Sequence, residues 1–177
     1  MRCYKLTDKD GQTHGGCQWG EGVTHETSGE GELCGSGWLH AYSDPILAVL
    51  MNPVHGDFAP RTMLIWEANG EGEYLDDHGL KYGFTKLTTI RQIPVPVVTT
   101  QQRVRFANLC AMAVAADARA AAKVVARAAW VEAEAADARA AAKAAARAAE
   151  WAVAWASTTI DFVALAHEAV PGGGDEQ

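Results

Sequence analysis

The chain has 177 residues, 49% of them hydrophobic and 21% charged, and a formal net charge of −7. That length suits one domain with an appendage. Residues 1–98 carry seven Lys/Arg against thirteen Asp/Glu and residues 99–177 eight against nine, so neither part offers a basic face and nucleic acid is a poor partner.

Short apolar or alternating runs, punctuated by glycine and polar residues, predict a compact β-rich head over residues 1–98. Residues 1–10 have no hydrophobic targeting core. Cys3-Tyr4-Lys5-Leu6 reads as a first strand, ended by Asp8-Lys9-Asp10-Gly11, and residues 16–19 as a second, with a turn at Gly22-Val23-Thr24. Glu32-Leu33-Cys34 leads through Gly35-Ser36-Gly37 into a strand at 38–42. Ser43 or Asp44 before Pro45 is a helix start. The helix is expected over 45–51, with Asn52-Pro53 ending it. Residues 62–68 read as a central strand, and 69–72 and 76–79 as hairpin turns. Residues 82–85 and 87–93 read as the last strands, stopped by Pro94-Val95-Pro96. Trp19, Trp38 and Trp66 are expected in the small core, where aromatic side chains supply large burial per position. Indoles also line pockets and stack on flat rings.

Cys3, Cys17, Cys34 and Cys110 fall at wide spacings with no C-x-x-C pair. Structural zinc sites use closely paired ligands, so reduced, mostly buried thiols are expected. The alternative is convergence in space of Cys3, Cys17 and Cys34 with His14, His25 and His40. The glycine-rich stretches 28–32 and 69–73 are acidic and suit solvated turns rather than phosphate cradles. Glu67, Glu71, Glu73, Asp76 and Asp77 read the same way. His40 and His55 lack a partnered nucleophile or oxyanion motif. No metal, cofactor or catalytic residue is expected.

Beyond the head, no glycine occurs between Phe84 and Val170, and a sixteen-residue block occurs twice. Residues 115–130 read AADARAAAKVVARAAW and residues 135–150 read AADARAAAKAAARAAE. Alanine is the strongest helix former, so residues 99–157 are expected to form a helical stalk, opened by Thr99 or Thr100 as N-cap. Phe106, Leu109, Cys110 and Ala113 follow helical spacing and are expected to pack on the head. A charge at nearly every turn of the blocks excludes a membrane span.

Three arrangements suit the stalk: a lone solvated helix, an intrachain hairpin and a self-associating bundle. A twenty-residue shift turns the second copy by about 200°, so a two-stranded heptad seam fits poorly and a bundle contacting several faces fits better. Trp130, Trp151 and Trp155 favour self-association, because exposed indoles mark contact surfaces. Ser157-Thr158-Thr159 reads as a break before a last amphipathic helix at 158–170, whose Ile160 and Phe162 join the oligomerisation candidates. Residues 171–177 read as a disordered tail.

The head carries a resemblance. Met1-Arg2-Cys3-Tyr4-Lys5, Cys17-Gln18-Trp19 with Gly22, Glu32-Leu33-Cys34, Gly37-Trp38-Leu39-His40-Ala41 and Asp44-Pro45 resemble the signature of an uncharacterised domain family found mainly in bacteriophages and prophages. Trp38-Leu39 stands where that pattern more commonly has a single Phe. The family's Ala-rich tails end in an Ile-Asp-Phe/Leu-x-x-Leu-Ala segment, matched by residues 160–166. The resemblance implies a viral or prophage origin and a place in the host cytoplasm, and brings no established activity.

The order of elements is also distantly similar to a minimal ADP-ribosyltransferase or RNA phosphotransferase fold, whose cleft between two small sheets grips NAD or a related nucleotide. That similarity implies Lys5, Trp38 and His40 as cleft residues, and Trp19 and Tyr42 join them as ligand-binding candidates. Transfer would need a carboxylate on a late strand, and no Asp or Glu occurs between Asp77 and Asp117.

The expected protein is therefore α+β, a β-rich head on an alanine-rich stalk that forms a homo-oligomer. Its expected function is a non-catalytic, phage-type binder that inhibits bacterial defence by sequestering a nucleotide-derived signal or by binding a defence protein. An ADP-ribosyltransferase-like enzyme using NAD and a structural oligomerisation module are the alternatives.

Overall fold

The computed structural model describes residues 1–114, 143, 147 and 160–172. Mixed α and β content is present, with antiparallel strands and three helices among those residues. The strands are β1 (Arg2–Thr7), β2 (Gln12–Thr13), β3 (Cys17–Gln18), β4 (Thr24–Glu26), β5 (Leu39–Ala41), β6 (Leu64–Asp76) and β7 (Tyr82–Ile93). The helices are α1 (Pro45–His55), α2 (Thr100–Val114) and α3 (Phe162–Ala169).

The main sheet runs β1-β6-β7, and β7 then pairs with β4 along one part of its free edge and with β5 along another. The sheet curls back on itself. Tyr4 of β1 and Tyr42, the residue after β5, exchange two backbone hydrogen bonds of 2.8 and 2.9 Å. β1, β6, β7 and β5 thus form a small closed ring, which removes the exposed edges that an open sheet would leave.

Side chains on β1 alternate between two interiors because the strand period is two. Cys3 packs inside the ring with Trp19, Leu39, Ala41, Ala68, Phe84 and Leu87. Leu6 faces outward and joins Ile65 of β6 in a second core with the helices. Ile46, Leu47 and Leu50 of α1 fill that core together with Phe106 and Cys110 of α2 and Phe162, Ala166 and Ala169 of α3. Gly70 belongs to the ring interior: a Cβ there would lie 2.5 Å from the Phe84 ring.

Several local features are those the sequence predicts. Asp44 caps α1, its carboxylate accepting from the backbone N–H of Ile46 and Leu47 at 2.8 and 3.0 Å. Thr99 and Gln102 form a reciprocal capping box at α2, with bonds of 2.8 and 3.2 Å. Phe106 and Cys110 are buried against the head, with Leu109 packed partly beside them. Trp19, Trp38 and Trp66 are all buried.

Other features differ from the expectation. Helix α1 continues through Asn52-Pro53 to His55. Pro53 has no N–H for the carbonyl of Val49, four residues back. The buried Arg103 guanidinium of α2 donates to that carbonyl at 2.8 Å instead. Residues 69–72 do not turn the chain but lie within β6. Gly72 has φ +77°, and the register shifts between Glu71 and Tyr74, so the glycine forms a bulge. Residues 82–85 and 87–93 form one strand, and the turn lies at 76–79, where Asp76 accepts from the Gly79 N–H at 2.7 Å.

The last helix starts at Phe162 rather than in the threonines, with Asp161 as the N-cap accepting from the Ala164 N–H at 2.9 Å. Phe162 is 3% exposed and Ile160 packs partly against the same core. Both side chains thus pack within the chain, Phe162 fully and Ile160 in part. His167 of α3 meets Asp44 at 2.7 Å, and Arg105 meets Glu168 at 3.6 Å. Thus α2 and α3 share one apolar core with the head instead of standing apart from it.

Trp130, Trp151, Trp155 and nearly all of both repeated blocks lie outside the described residues. Within the second block, the described Lys143 donates to Asp57 at 3.2 Å. Among the described residues no helix is long and apolar enough to cross a membrane.

Candidate functional site

A cavity of about 680 Å³ lies beside the ring. β1 and β5 supply Lys5, Leu39 and His40, and the chain leaving β5 supplies Tyr42. The β2–β3 unit and the residue after it contribute Thr13, His14, Cys17 and Trp19. The segment before β5 adds Cys34 and Trp38, and the C-terminal end of α1 with the residues after it adds His55 and Phe58. Lys81 comes from the turn that leads into β7. The five residues proposed from sequence (Lys5, Trp19, Trp38, His40 and Tyr42) therefore line one cavity.

Local hydrogen bonds hold these walls. The indole of Trp19 donates to Thr13 Oγ1 at 3.2 Å, and that of Trp38 donates to the Gly31 carbonyl at 3.1 Å. Thr27 Oγ1 and the Gly29 N–H both donate to the Gly37 carbonyl, tying down the loop before β5. His14 donates from Nε2 to the Gly56 carbonyl at 3.0 Å and stacks on Phe58 with ring centres 5.7 Å apart. This joins the β2–β3 unit to the end of α1. Tyr42 and His55 stack at 5.9 Å, with the phenol oxygen 3.0 Å from Nδ1.

The electrostatics of the cavity run against those of the chain. No Asp or Glu is among the lining residues, although the chain has 22 of them. Lys5 and Lys81 are both buried. The Lys5 ammonium donates to the His40 carbonyl at 2.7 Å and lies 4.8 Å from the centre of a Trp19 ring. Burial lowers its pKa to about 8, an effect that Cys17 and Cys3 only partly oppose. Lys81 Nζ lies 3.2 Å from Cys34 Sγ and 3.9 Å from Asp77, which stands behind the wall. His40 contacts the Leu33 carbonyl through Nε2, which places its proton there. Burial lowers the His40 pKa; the Leu33 contact opposes this, while Lys5, Lys81 and His55 add to the lowering. The result is a concave site with aromatic walls and positive charge, suited to an anion that carries a flat apolar part.

Sequence reasoning did not assign His14, Cys17, Cys34, His55, Phe58 and Lys81 to this cavity. His14, Cys17 and Cys34 belong, with Cys3, His25 and His40, to the alternative metal set that the sequence offers. Among the described residues, no group of His, Cys, Asp and Glu is placed to hold a metal ion. All four cysteines are free: Cys3 and Cys110 are buried, Cys17 half-buried and Cys34 exposed. Burial raises the Cys3 thiol to about 11, which keeps it protonated at neutral pH.

No family model matches the chain, and no curated protein or solved structure matches it either.

Proposed function

We propose that this protein is a binding protein for a small anionic ligand of nucleotide type, held in the cavity by Lys5, Lys81 and the surrounding aromatic side chains. One observation carries the reading: an acidic chain encloses a cavity whose walls hold two buried lysines and no carboxylate. A buried ammonium is costly without a counter-ion; Lys5 has no carboxylate in the lining and Lys81 has Asp77 only at 3.9 Å, so a bound phosphate would serve both. Trp19, Trp38, Tyr42 and Phe58 offer apolar faces for a base or another flat ring.

The carboxylate that ribosyl transfer would need is absent from this lining, so the cavity supports holding a ligand better than cleaving one. In the phage setting suggested by residues 1–45, such a protein would inhibit defence by withdrawing a nucleotide-derived signal from the host. Self-association through the alanine-rich segment remains a separate proposal, supported by the sequence of its tryptophans alone.

Thermal unfolding of the full chain with adenosine, AMP, ADP and cyclic dinucleotides tests the reading. A phosphate-bearing ligand at saturating concentration is expected to raise Tm by about 3–6 °C, and adenosine by much less. A series in which no phosphate-bearing compound moves Tm would sink it.

A further inference from the structure

The two buried lysines of the cavity are not equivalent. Lys81 has a thiol at 3.2 Å and a carboxylate at 3.9 Å, an ordinary setting for an ammonium. Lys5 has neither a carboxylate in the lining nor an exposed face. Its polar contact is the His40 carbonyl at 2.7 Å, and an indole ring covers another side. An ammonium needs water or a counter-ion, whereas a neutral amine in the same place needs only the one acceptor. The backbone of β1 holds this nitrogen within a closed ring of strands, at the wall of a cavity large enough for a ligand. A desolvated lysine amine in an apolar pocket is the setting in which lysine acts as a nucleophile toward carbonyl compounds.

We propose that Lys5 forms an imine with an aldehyde that carries an anionic group, the aldehyde carbon meeting Nζ while the anion faces Lys81. The lone pair of the neutral amine attacks the carbonyl carbon, and the C=O π pair moves onto oxygen. A proton passes from nitrogen to that oxygen to give the carbinolamine. Loss of water then forms the C=N bond, with no change of oxidation state and no co-reactant. This rests on the reading of the cavity as an anion site and adds a covalent step to it. Burial also brings the Lys5 pKa to about 8, so a fraction of the amine is neutral near pH 7.

Pyridoxal 5′-phosphate is a suitable probe, having an aromatic ring, an aldehyde and a phosphate. The full-length protein would be incubated with it at pH 7.5, reduced with cyanoborohydride, digested and mapped by mass spectrometry. Lys5 is expected to be labelled at least about tenfold faster than the exposed Lys9, with AMP slowing the labelling. Lys5→Arg is expected to lose that label, since a guanidinium forms no stable imine with this aldehyde, while Lys9 is labelled as in the wild type. Labelling confined to Lys9, Lys81 or Lys86 overturns the imine, and a persisting AMP shift would then leave the binding reading standing. Labelling of Lys5 without any AMP shift supports the imine and removes the nucleotide reading.

Discussion

Lys5 and Leu6 are adjacent on one strand, yet they face opposite interiors of the same molecule. Leu6 joins an apolar core built with α1, α2 and α3 and borders the cavity from that side. Lys5 enters the ring side, where a cavity replaces dense packing and polar groups replace methyls. Each buried aliphatic side chain on the helical side contributes roughly 1.5–3 kcal/mol. A buried lysine without a carboxylate contributes nothing of the kind and costs desolvation instead. The helical layer stabilises the fold by enough to keep a ligand-sized cavity at its border, where Leu6 and Tyr42 of that core join Lys5 in the lining.

Four substitutions test that contrast. Leu47 is fully buried in the helical core, and Leu47→Ala is expected to destabilise by about 3 kcal/mol in denaturant titration, since the cavity it leaves can collapse only partly. A loss below about 1 kcal/mol would show that this core is looser than its packing implies.

Arg103→Met should cost less, about 2 kcal/mol, by leaving the Val49 carbonyl unsatisfied. Pro53→Ala returns an N–H to that carbonyl, so the same Arg103 change should cost markedly less in the Pro53→Ala background. Equal costs in both backgrounds would mean that Arg103 is not compensating for the proline.

The smallest effect has the opposite sign. Lys5→Met is expected to stabilise by about 1 kcal/mol at pH 7 while abolishing the response to phosphate-bearing ligands. The pH dependence follows from a folded pKa of about 8 against the ordinary lysine value of 10.5. Between those values the unfolded chain binds more protons, so wild-type stability gains from Lys5 as pH rises. The advantage of Lys5→Met should therefore be largest below pH 8 and shrink above it. An advantage that is flat or widens across that range would mean that Lys5 is not a desolvated ammonium.

From the sequence, Lys5, Trp38 and His40 enter through a distant fold similarity, and Trp19 and Tyr42 beside them as ligand-binding candidates. Lys5, Trp19, Trp38, His40 and Tyr42 line one cavity although they span residues 5–42. Lys81 was not legible, because its meeting with Cys34 joins residues 47 positions apart and depends on the turn at 76–79. His55 and Phe58 were hidden for a different reason. Pro53 signals a helix end, and only a guanidinium from another helix lets α1 run on to carry them toward the cavity.

By itself, the sequence determined what short-range physics determines. The capping residues Asp44 and Thr99, the turn at 76–79 and the burial of Trp19, Trp38 and Trp66 follow from hydrogen-bonding geometry and apolar area within a few positions of the chain. The closure of β1 onto Tyr42, the continuation of α1 through Pro53 and the burial of Phe162 were decided by tertiary structure. Each depends on a partner far along the chain, a backbone edge, a guanidinium or an apolar core, that local pattern cannot specify. The cavity without carboxylates belongs to this second group, since it joins Lys5 and Lys81 from distant parts of the chain.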